Sequence, residues 1–280
     1  MLINVDISSV PEFSDNTIVR FCKTGNIIQV LSLAHKNCEA TILKLNSYEF
    51  LCLHSGEIKK FSQSTSSSRK DNIKVLRKSC QNLRDLINNN FFGGSNELWI
   101  TLTFDKNKVY EPSDLYDIFR KFFMRVRYYI ERLDCSQTID YVYVPEPHIK
   151  GDWHIHCLFK SNKALFISNS DLSKLWGNGF VMVKRLRDVD NIGAYVSAYL
   201  TDFKDDDGNI SKGSRLYLYP SHHQLYRYSR GIKKPEVQWV RYFEIKKELG
   251  LAKLVYSSRV DVDIADFHNT LVYKQYNLNR

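Results

Sequence analysis

Residues 141–160, YVYVPEPHIKGDWHIHCLFK, constrain the fold most strongly, because they predict two β-strands joined by a polar turn. Side chains alternate between the two faces of a strand, which puts His154 and His156 on one face and the apolar residues around them on the other. If the turn is centred on Lys150, Glu146 lies opposite His154, and facing Cβ atoms on paired strands are about 5 Å apart. The segment therefore predicts an antiparallel hairpin with one carboxylate and two imidazoles close together.

Glu146, His154 and His156 form a candidate site for one divalent cation. Mixed imidazole and carboxylate ligands suit Mg²⁺ or Mn²⁺ better than a metal that is bound by thiolates. The same pattern is also typical of polar residues on the solvent-facing side of a hairpin. The hairpin alone does not distinguish these two interpretations.

A second group of candidate residues lies in the helix predicted for residues 191–203, NIGAYVSAYLTDF. Tyr195 and Tyr199 are one helical turn apart, so their hydroxyl groups can reach the same side. The apolar residues of the segment form a stripe that consists of Ile192, Val196, Leu200 and Phe203. Tyr195 lies farther from the centre of this stripe than Tyr199, so we expect Tyr195 to be more exposed and Tyr199 to be partly buried.

The tyrosines and the candidate cation site together indicate phosphoryl-transfer chemistry. A phenol, with an ordinary pKa of about 10, becomes a competent nucleophile when a nearby cation stabilises the phenolate. A divalent cation also polarises the non-bridging oxygens of a phosphodiester and offsets the charge that develops in the transition state. The product would be DNA joined through phosphate to tyrosine, a bond that a free 3′-hydroxyl reverses without ATP. The absence of a G-x-x-x-x-G-K-[ST] phosphate loop agrees with this chemistry.

The charge composition favours a polyanionic partner. The 40 Lys and Arg residues exceed the 31 Asp and Glu residues, which gives a net charge of +9. Nucleic acid is the first candidate for this partner, and an anionic membrane surface is the second. No apolar run reaches the roughly 18 residues of a membrane-spanning helix, and the first residues lack the pattern of a signal peptide, so we expect a cytoplasmic protein. The six cysteines contain no C-x-x-C pair and suggest neither a zinc knuckle nor a disulfide framework.

The order of the predicted elements indicates an α+β fold. Residues 98–203 give strand, helix, two strands, helix, strand and helix, which suits an antiparallel sheet with helices on one face and the histidines on the other. Short β-type runs and the polar tract that follows them predict a separate N-terminal unit. The predicted organisation is a β-rich unit at 1–61, a linker and basic helix at 62–94, a nuclease core at 95–205 and a C-terminal extension at 206–280.

The C-terminal extension interleaves aromatic and basic residues in RLYLYPSHHQLYRYSRGIKKP, residues 215–235. Aromatic rings can stack on bases while cations follow phosphates. Edge strands that are rich in tyrosine and have basic flanks produce the same string, and the sequence favours neither explanation. Beyond this string, the pattern predicts a final helix at 236–249 and a strand at 253–262.

Three motifs, in this order, resemble those of the HUH endonucleases, and particularly the rolling-circle replication initiator (Rep) proteins of bacterial plasmids and phages. They are a TLTF strand at 101–104, a histidine-hydrophobe-histidine triplet at 154–156 with Glu146 before it, and YVSAY at 195–199. The resemblance covers residues 95–205, and SRGIKKP at 229–235 resembles a segment of the plasmid-type relatives. It implies a central antiparallel sheet of about five strands, with the histidines on a central strand.

The resemblance also implies roles for individual residues. Glu146, His154 and His156 would hold Mg²⁺ or Mn²⁺. Tyr195 and Tyr199 would nick single-stranded or hairpin origin DNA, keep the 5′ end and release a 3′-hydroxyl primer. A host helicase and a host polymerase are the implied protein partners.

Lysines that assist the tyrosines in many relatives are replaced here. Those relatives have a lysine three residues after each tyrosine, whereas this chain has Ala198 and Asp202. The resemblance therefore leaves this contribution to Lys184 or Lys204. The candidate DNA contacts are Thr101, Thr103, Lys184, Lys204, Arg227, Arg230, Lys233 and Lys234.

Two other functions remain open at this point. A two-tyrosine HUH transposase or mobilisation enzyme would use the same constellation of residues. A basic module that binds single-stranded nucleic acid without catalysis would carry the two histidines as ordinary strand residues.

Overall fold

A computed structural model describes residues 2–6, 10–36, 42–46, 48–61, 73–105, 111–147, 152–186, 191–197, 219–220, 223–264 and 267–279. The elements of the first half are β1 (Leu2–Asp6), β2 (Ile18–Thr24), β3 (Ile27–Leu33), β4 (Ile42–Lys44), β5 (Glu49–Cys52), β6 (Ile58–Lys60), α1 (Ile73–Asn88), β7 (Glu97–Thr103) and α2 (Leu115–Leu133). Those of the second half are β8 (Ile139–Pro147), β9 (Trp153–Ser161), α3 (Asn169–Trp176), β10 (Val181–Lys184), α4 (Ile192–Ser197), β11 (Arg227–Tyr228), β12 (Val237–Arg241), α5 (Tyr242–Leu249), β13 (Lys253–Ile264) and β14 (Phe267–Asn277).

Five strands form an antiparallel sheet in the order β10-β7-β9-β8-β11, so β9 lies in the middle. Strands β8 and β9 pair as the predicted hairpin, with Glu146 opposite His154. Strand β7 pairs with the other edge of β9, so that Thr101 faces His156 and Thr103 faces His154. The predictions of an α+β fold and of this antiparallel hairpin are confirmed.

Helix α2 covers one face of this sheet with aromatic side chains. Its buried residues recur every three or four positions and form one apolar stripe, which consists of Leu115, Phe119, Phe122, Val126 and Ile130. The ring of Phe119 contacts those of Tyr141 and Tyr143 on β8, at centroid distances of 5.0 and 4.7 Å. Helix α3 extends this cover, because the ring of Trp176 contacts that of Phe122 at 5.4 Å.

Helix α4, with α1 packed beside it, covers part of the opposite face, so the prediction of helices on one face was wrong. Val144 and Leu158 lie on this face with His156 and are almost fully buried. The ring of Tyr195 on α4 packs against Trp99, which shares the face. The prediction considered the polar end of the hairpin and overlooked the apolar residues farther along the same face, which need cover as well.

A second antiparallel sheet has six strands in the order β1-β13-β14-β3-β2-β12. Helix α5 packs on it through Ile245 and Leu249, which join a core cluster with Val19, Ile28 and Val272. The predicted division into a unit at 1–61 and an extension at 206–280 differs from this structure, in which strands of both segments build one sheet. Pairing between strands so far apart in the chain leaves no local pattern in the sequence. Strands β4, β5 and β6 form a separate three-stranded sheet.

Helix α1 connects the two large sheets. Leu83 and Ile87 on this helix are fully buried in the core that includes the five-stranded sheet. Asp85 accepts hydrogen bonds from the amide of Gln29 on β3 at 2.6 Å and from that of Gln81 at 2.8 Å. Burial raises the pKa of the Asp85 carboxyl group above its ordinary value, and the hydrogen bonds from the two glutamines oppose this rise.

The C-terminal segment differs from the prediction at its start. The predicted helix at 236–249 begins as the edge strand β12 and becomes helical only in α5. The β12 sequence, VQWVR, is rich in β-branched and aromatic residues, which favour a strand. The strand predicted at 253–262 is confirmed as part of β13. None of the helices in the described ranges is both long and apolar enough to cross a membrane.

Candidate metal and tyrosine site

Polar side chains from three adjacent strands meet on the face that carries the histidines. Thr101 and Thr103 come from β7, His154 and His156 from β9, and Glu146 from β8. The residues that alternate with them on β7 and β9 are apolar and buried. A slip of one residue in the strand register would bury the polar set and expose the core, so the hydrophobic pattern fixes this grouping.

His156 makes two side-chain hydrogen bonds within this group. Its Nε2 lies 2.6 Å from Oε2 of Glu146, and its Nδ1 lies 3.2 Å from Oγ1 of Thr101. The side chain of His156 is 7% exposed and that of Glu146 is 22% exposed. Because a carboxylate only accepts hydrogen bonds, Nε2–H donates to Glu146, and Nδ1 then accepts from the Thr101 hydroxyl. Both nitrogens of the buried imidazole are thus satisfied.

The pair of Glu146 and His156 offers two ligands of the kind that Mg²⁺ or Mn²⁺ accepts. Ligands at about 2.1 Å from an octahedral cation lie about 3 Å from each other. The observed separation of 2.6 Å between Nε2 and Oε2 is close to this distance. Loss of the hydrogen on Nε2 would leave Nδ1–H to donate to Thr101, an arrangement that orients metal-bound histidines.

His154 lies opposite Glu146 and completes the predicted donor set. Within the described ranges, no three His, Cys, Asp or Glu side chains are arranged so that they could hold a metal ion as they stand. The donor chemistry therefore fits the predicted ion, and a third ligand has to turn towards the Glu146 and His156 pair.

Tyr195 on α4 reaches the same face of the sheet and is 42% exposed. Its ring meets Trp99 edge-on at a centroid distance of 4.9 Å, and Trp99 meets His156 edge-on at 6.1 Å. One tryptophan thus contacts both the tyrosine and the imidazole. Ile192 and Val196 of the same helix are buried, in agreement with the predicted apolar stripe.

Two asparagines hold the start of α4 against the end of α1. Oδ1 of Asn88 accepts from the backbone N–H of Gly193 at 2.7 Å, and Nδ2 of Asn88 donates to Oδ1 of Asn191 at 2.9 Å. Asn191 also accepts from the N–H of Ala194 at 2.8 Å, as a helix N-cap does. A Cβ atom on Gly193 would lie 2.3 Å from the carbonyl oxygen of Arg84, so the close approach of the two helices requires glycine. This contact positions the helix that carries the tyrosine.

Two of the predicted site residues, Tyr199 and Lys204, lie outside the described residues, since α4 is described as far as Ser197. Lys184 is exposed at the end of β10 and is paired with Trp99 of β7. Paired residues of adjacent strands point to the same face, so the structure brings Lys184 to the side of the sheet that carries His156 and Tyr195.

The four predicted C-terminal DNA contacts lie at the other edge of the sheet. Arg227 belongs to the edge strand β11, where its guanidinium carbon lies 3.9 Å from the centre of the Tyr116 ring. Arg230, Lys233 and Lys234 are exposed in the segment between β11 and β12. The backbone of Lys233 is anchored by hydrogen bonds to the side chain of Asn90, at 2.9 and 2.7 Å.

Sequence reasoning missed the contributions of Trp99 and Asn88. Trp99 alternates with Ile100 and falls in step with Thr101 along β7, so the period-two pattern already assigned it to the histidine face. Asn88 is 5% exposed, and its partner Asn191 is 103 positions away in the chain. A contact over that distance gave no local signal.

Comparison with protein-family models matches residues 97–204 to a family of replication-associated proteins, described as replication-associated protein ORF2. The matched segment contains the candidate cation ligands and both candidate tyrosines. The match supports a replication-associated function for the chain. No curated protein and no solved structure matches it.

Proposed function

We propose that the chain initiates rolling-circle replication as a metal-assisted DNA nicking and joining enzyme of the HUH type. The observation that carries this proposal is the position of Tyr195 and His156, which contact the same tryptophan on one face of the five-stranded sheet. The family match over residues 97–204 supports replication rather than transposition or mobilisation, which would use the same residues.

In this proposal, the DNA strand crosses the histidine face with the scissile phosphate between His156 and Tyr195. Glu146, His154 and His156 would hold the cation. When bound, Mg²⁺ or Mn²⁺ would supply Lewis-acid polarisation of the non-bridging phosphate oxygens. The exposed ammonium group of Lys184 would add positive charge on the same face.

The nicking step is a transesterification. The phenol oxygen of Tyr195 attacks phosphorus, the bond between phosphorus and the 3′-oxygen breaks, and the phenol proton passes to solvent. The 3′-oxygen takes up a proton and leaves as the hydroxyl primer for a host polymerase and helicase. Because one phosphodiester replaces another, a 3′-hydroxyl can reverse the step without ATP. Tyr199 is the candidate for a second nucleophile.

The test uses purified protein, Mn²⁺ and a single-stranded DNA hairpin taken from the locus that encodes the protein. We expect a covalent protein–DNA adduct with the wild type and none with Tyr195→Phe. His156→Ala should slow adduct formation by about 100-fold or more. Tyr128→Phe is the matched control, because Tyr128 is an exposed tyrosine of α2.

Unchanged adduct formation with Tyr195→Phe would contradict the assignment of the nucleophile, and an unchanged rate with His156→Ala would contradict the assignment of the ligand. A non-catalytic binding module gives a different result altogether. In that case Mn²⁺ would change neither the thermal stability of the protein nor the length of the DNA.

A further inference from the structure

A cleft of about 460 Å³ opens at the β11 edge of the five-stranded sheet. Its volume lies in the range of roughly 300 to 1,000 Å³ that is usual for ligand sites. The lining includes three tyrosines, an arginine and two hydrogen-bonding side chains, namely Tyr116, Tyr226, Tyr228, Arg227, Ser79 and Gln224. This composition is aromatic and cationic rather than apolar.

The side chains of the cleft are arranged for a planar ligand that carries negative charge. The rings of Tyr226 and Tyr228 are nearly parallel, with an interplanar angle of 22° and centroids 6.3 Å apart. Arg227 lies over the Tyr116 ring at 3.9 Å, which holds the guanidinium group in place. A guanidinium group held in this way can donate to a phosphate through its N–H groups. Parallel aromatic rings offer surfaces on which a base can stack.

The strand register relates this cleft to the candidate metal site. Arg227 pairs with Tyr143 of β8, so the preceding residue, Tyr226, extends the ladder towards Val144. Val144 is the partner of His156 on β9. Two strand spacings of about 4.8 Å therefore separate the rows of Tyr226 and His156, which gives about 10 Å. At about 3.4 Å per stacked nucleotide, this span corresponds to no more than about three nucleotides.

We infer that the cleft binds one nucleobase of the single-stranded DNA that is cut, close in sequence to the scissile phosphate. Tyr226 and Tyr228 stack on the base, Ser79 and Gln224 contact its polar edge, and Arg227 contacts the adjacent phosphate. The relation to the scissile phosphate rests on the proposed function, whereas the binding of the base does not require cleavage.

The experiment measures binding in EDTA, where no metal-dependent cleavage takes place. The probe is a thymidylate oligonucleotide of about 12 nucleotides, within the usual size of single-strand sites, with one 5-iodouracil for photo-cross-linking. We expect the cross-links to map to Tyr116, Tyr226 or Tyr228. Tyr228→Leu keeps the bulk of the side chain but removes the ring, and it should weaken binding by roughly 5- to 150-fold, as the loss of one stacked base does.

Two control variants make the result specific. Tyr228→Phe retains the ring and should bind the oligonucleotide like the wild type. Tyr128→Leu removes an exposed tyrosine of α2 outside the cleft and should also leave the affinity unchanged. Thermal melting checks that each variant is folded, and if Tyr228→Leu is not, the cross-link map of the wild type decides alone.

Cross-links that map only outside the cleft would overturn the inference, as would wild-type affinity in a folded Tyr228→Leu protein. The outcome is independent of the nicking assay. Cross-links to the cleft tyrosines without any covalent adduct in Mn²⁺ would refute the proposed enzyme and leave the base site standing. Adduct formation together with cross-links elsewhere would refute the base site alone.

Discussion

The contact between Asn88 and α4 makes a sharp prediction for Asn88→Ala. The substitution removes the acceptor for the Gly193 N–H and the donor to Asn191. Both partners lie where two helices pack closely, and Gly193 is buried. The helix that carries Tyr195 therefore loses its attachment to α1, while the sheet and the imidazoles are unchanged.

The expected size of the effect follows from the two hydrogen bonds. A buried N–H without a partner costs about 1–3 kcal/mol, and a typical hydrogen bond contributes about 1 kcal/mol. We expect the free energy of unfolding to fall by about 2–3 kcal/mol, measured in urea. A displacement of about 1 Å can slow a reaction by about 100-fold, so nicking should slow by at least tenfold at a temperature where the variant is fully folded.

Asn90→Ala is the matched control. Asn90 is also buried at the end of α1, and its side chain makes hydrogen bonds to Leu86 and to the backbone of Lys233 instead of α4. The two variants should lose similar stability, but Asn90→Ala should slow nicking by less than about threefold, which is about 0.7 kcal/mol of barrier. Equal effects of both variants on the nicking rate would refute the idea that Asn88 positions the tyrosine.

Three further predictions concern other contacts. Gly193→Ala brings a Cβ to 2.3 Å from the Arg84 carbonyl oxygen, so it should lower the free energy of unfolding by about 1–3 kcal/mol in urea; unchanged stability would show that α4 shifts freely. Thr101→Val removes the hydroxyl partner of His156 and should weaken Mn²⁺ binding by about 10- to 100-fold in calorimetry, whereas Thr101→Ser should restore it; equal affinities would exclude this role. Asp85 has a raised pKa in the folded state, so its contribution to stability is present below its ordinary pKa of 3.8 and is lost as the pH rises through the raised value. Asp85→Asn should therefore be more stable than the wild type at pH 7 in urea unfolding, with a difference that narrows in acid, and a constant difference would contradict the assignment.

The hairpin was predictable because its information is local. The alternation of polar and apolar residues assigns His154 and His156 to one face, and the position of the turn sets Glu146 opposite His154. The helical period likewise identifies Ile192 and Val196 as the buried side of α4 and leaves Tyr195 exposed.

The rest depends on contacts between distant parts of the chain. The bond between Asn88 and Asn191, the packing of α4 on Trp99 and the pairing of β3 with β14 all follow from the final packing of the elements. Local patterns describe how each element buries one face, and they do not state which other element covers it. For the same reason the edge strand β12 resembled the start of the helix that follows it.

The composition of the six-stranded sheet determines when it can fold. During synthesis the β2–β3 hairpin leaves the ribosome long before β12 and β14, the strands that flank it in the finished sheet. Until those strands arrive, both edges of the hairpin carry unpaired N–H and C=O groups, which is the condition for pairing with other chains. Closing the sheet also encloses the whole five-stranded sheet in one loop, so it is a late event in folding. A truncated protein that ends before Val237 should aggregate through this hairpin, and a shortened chain meant to express the five-stranded sheet alone should omit β2 and β3.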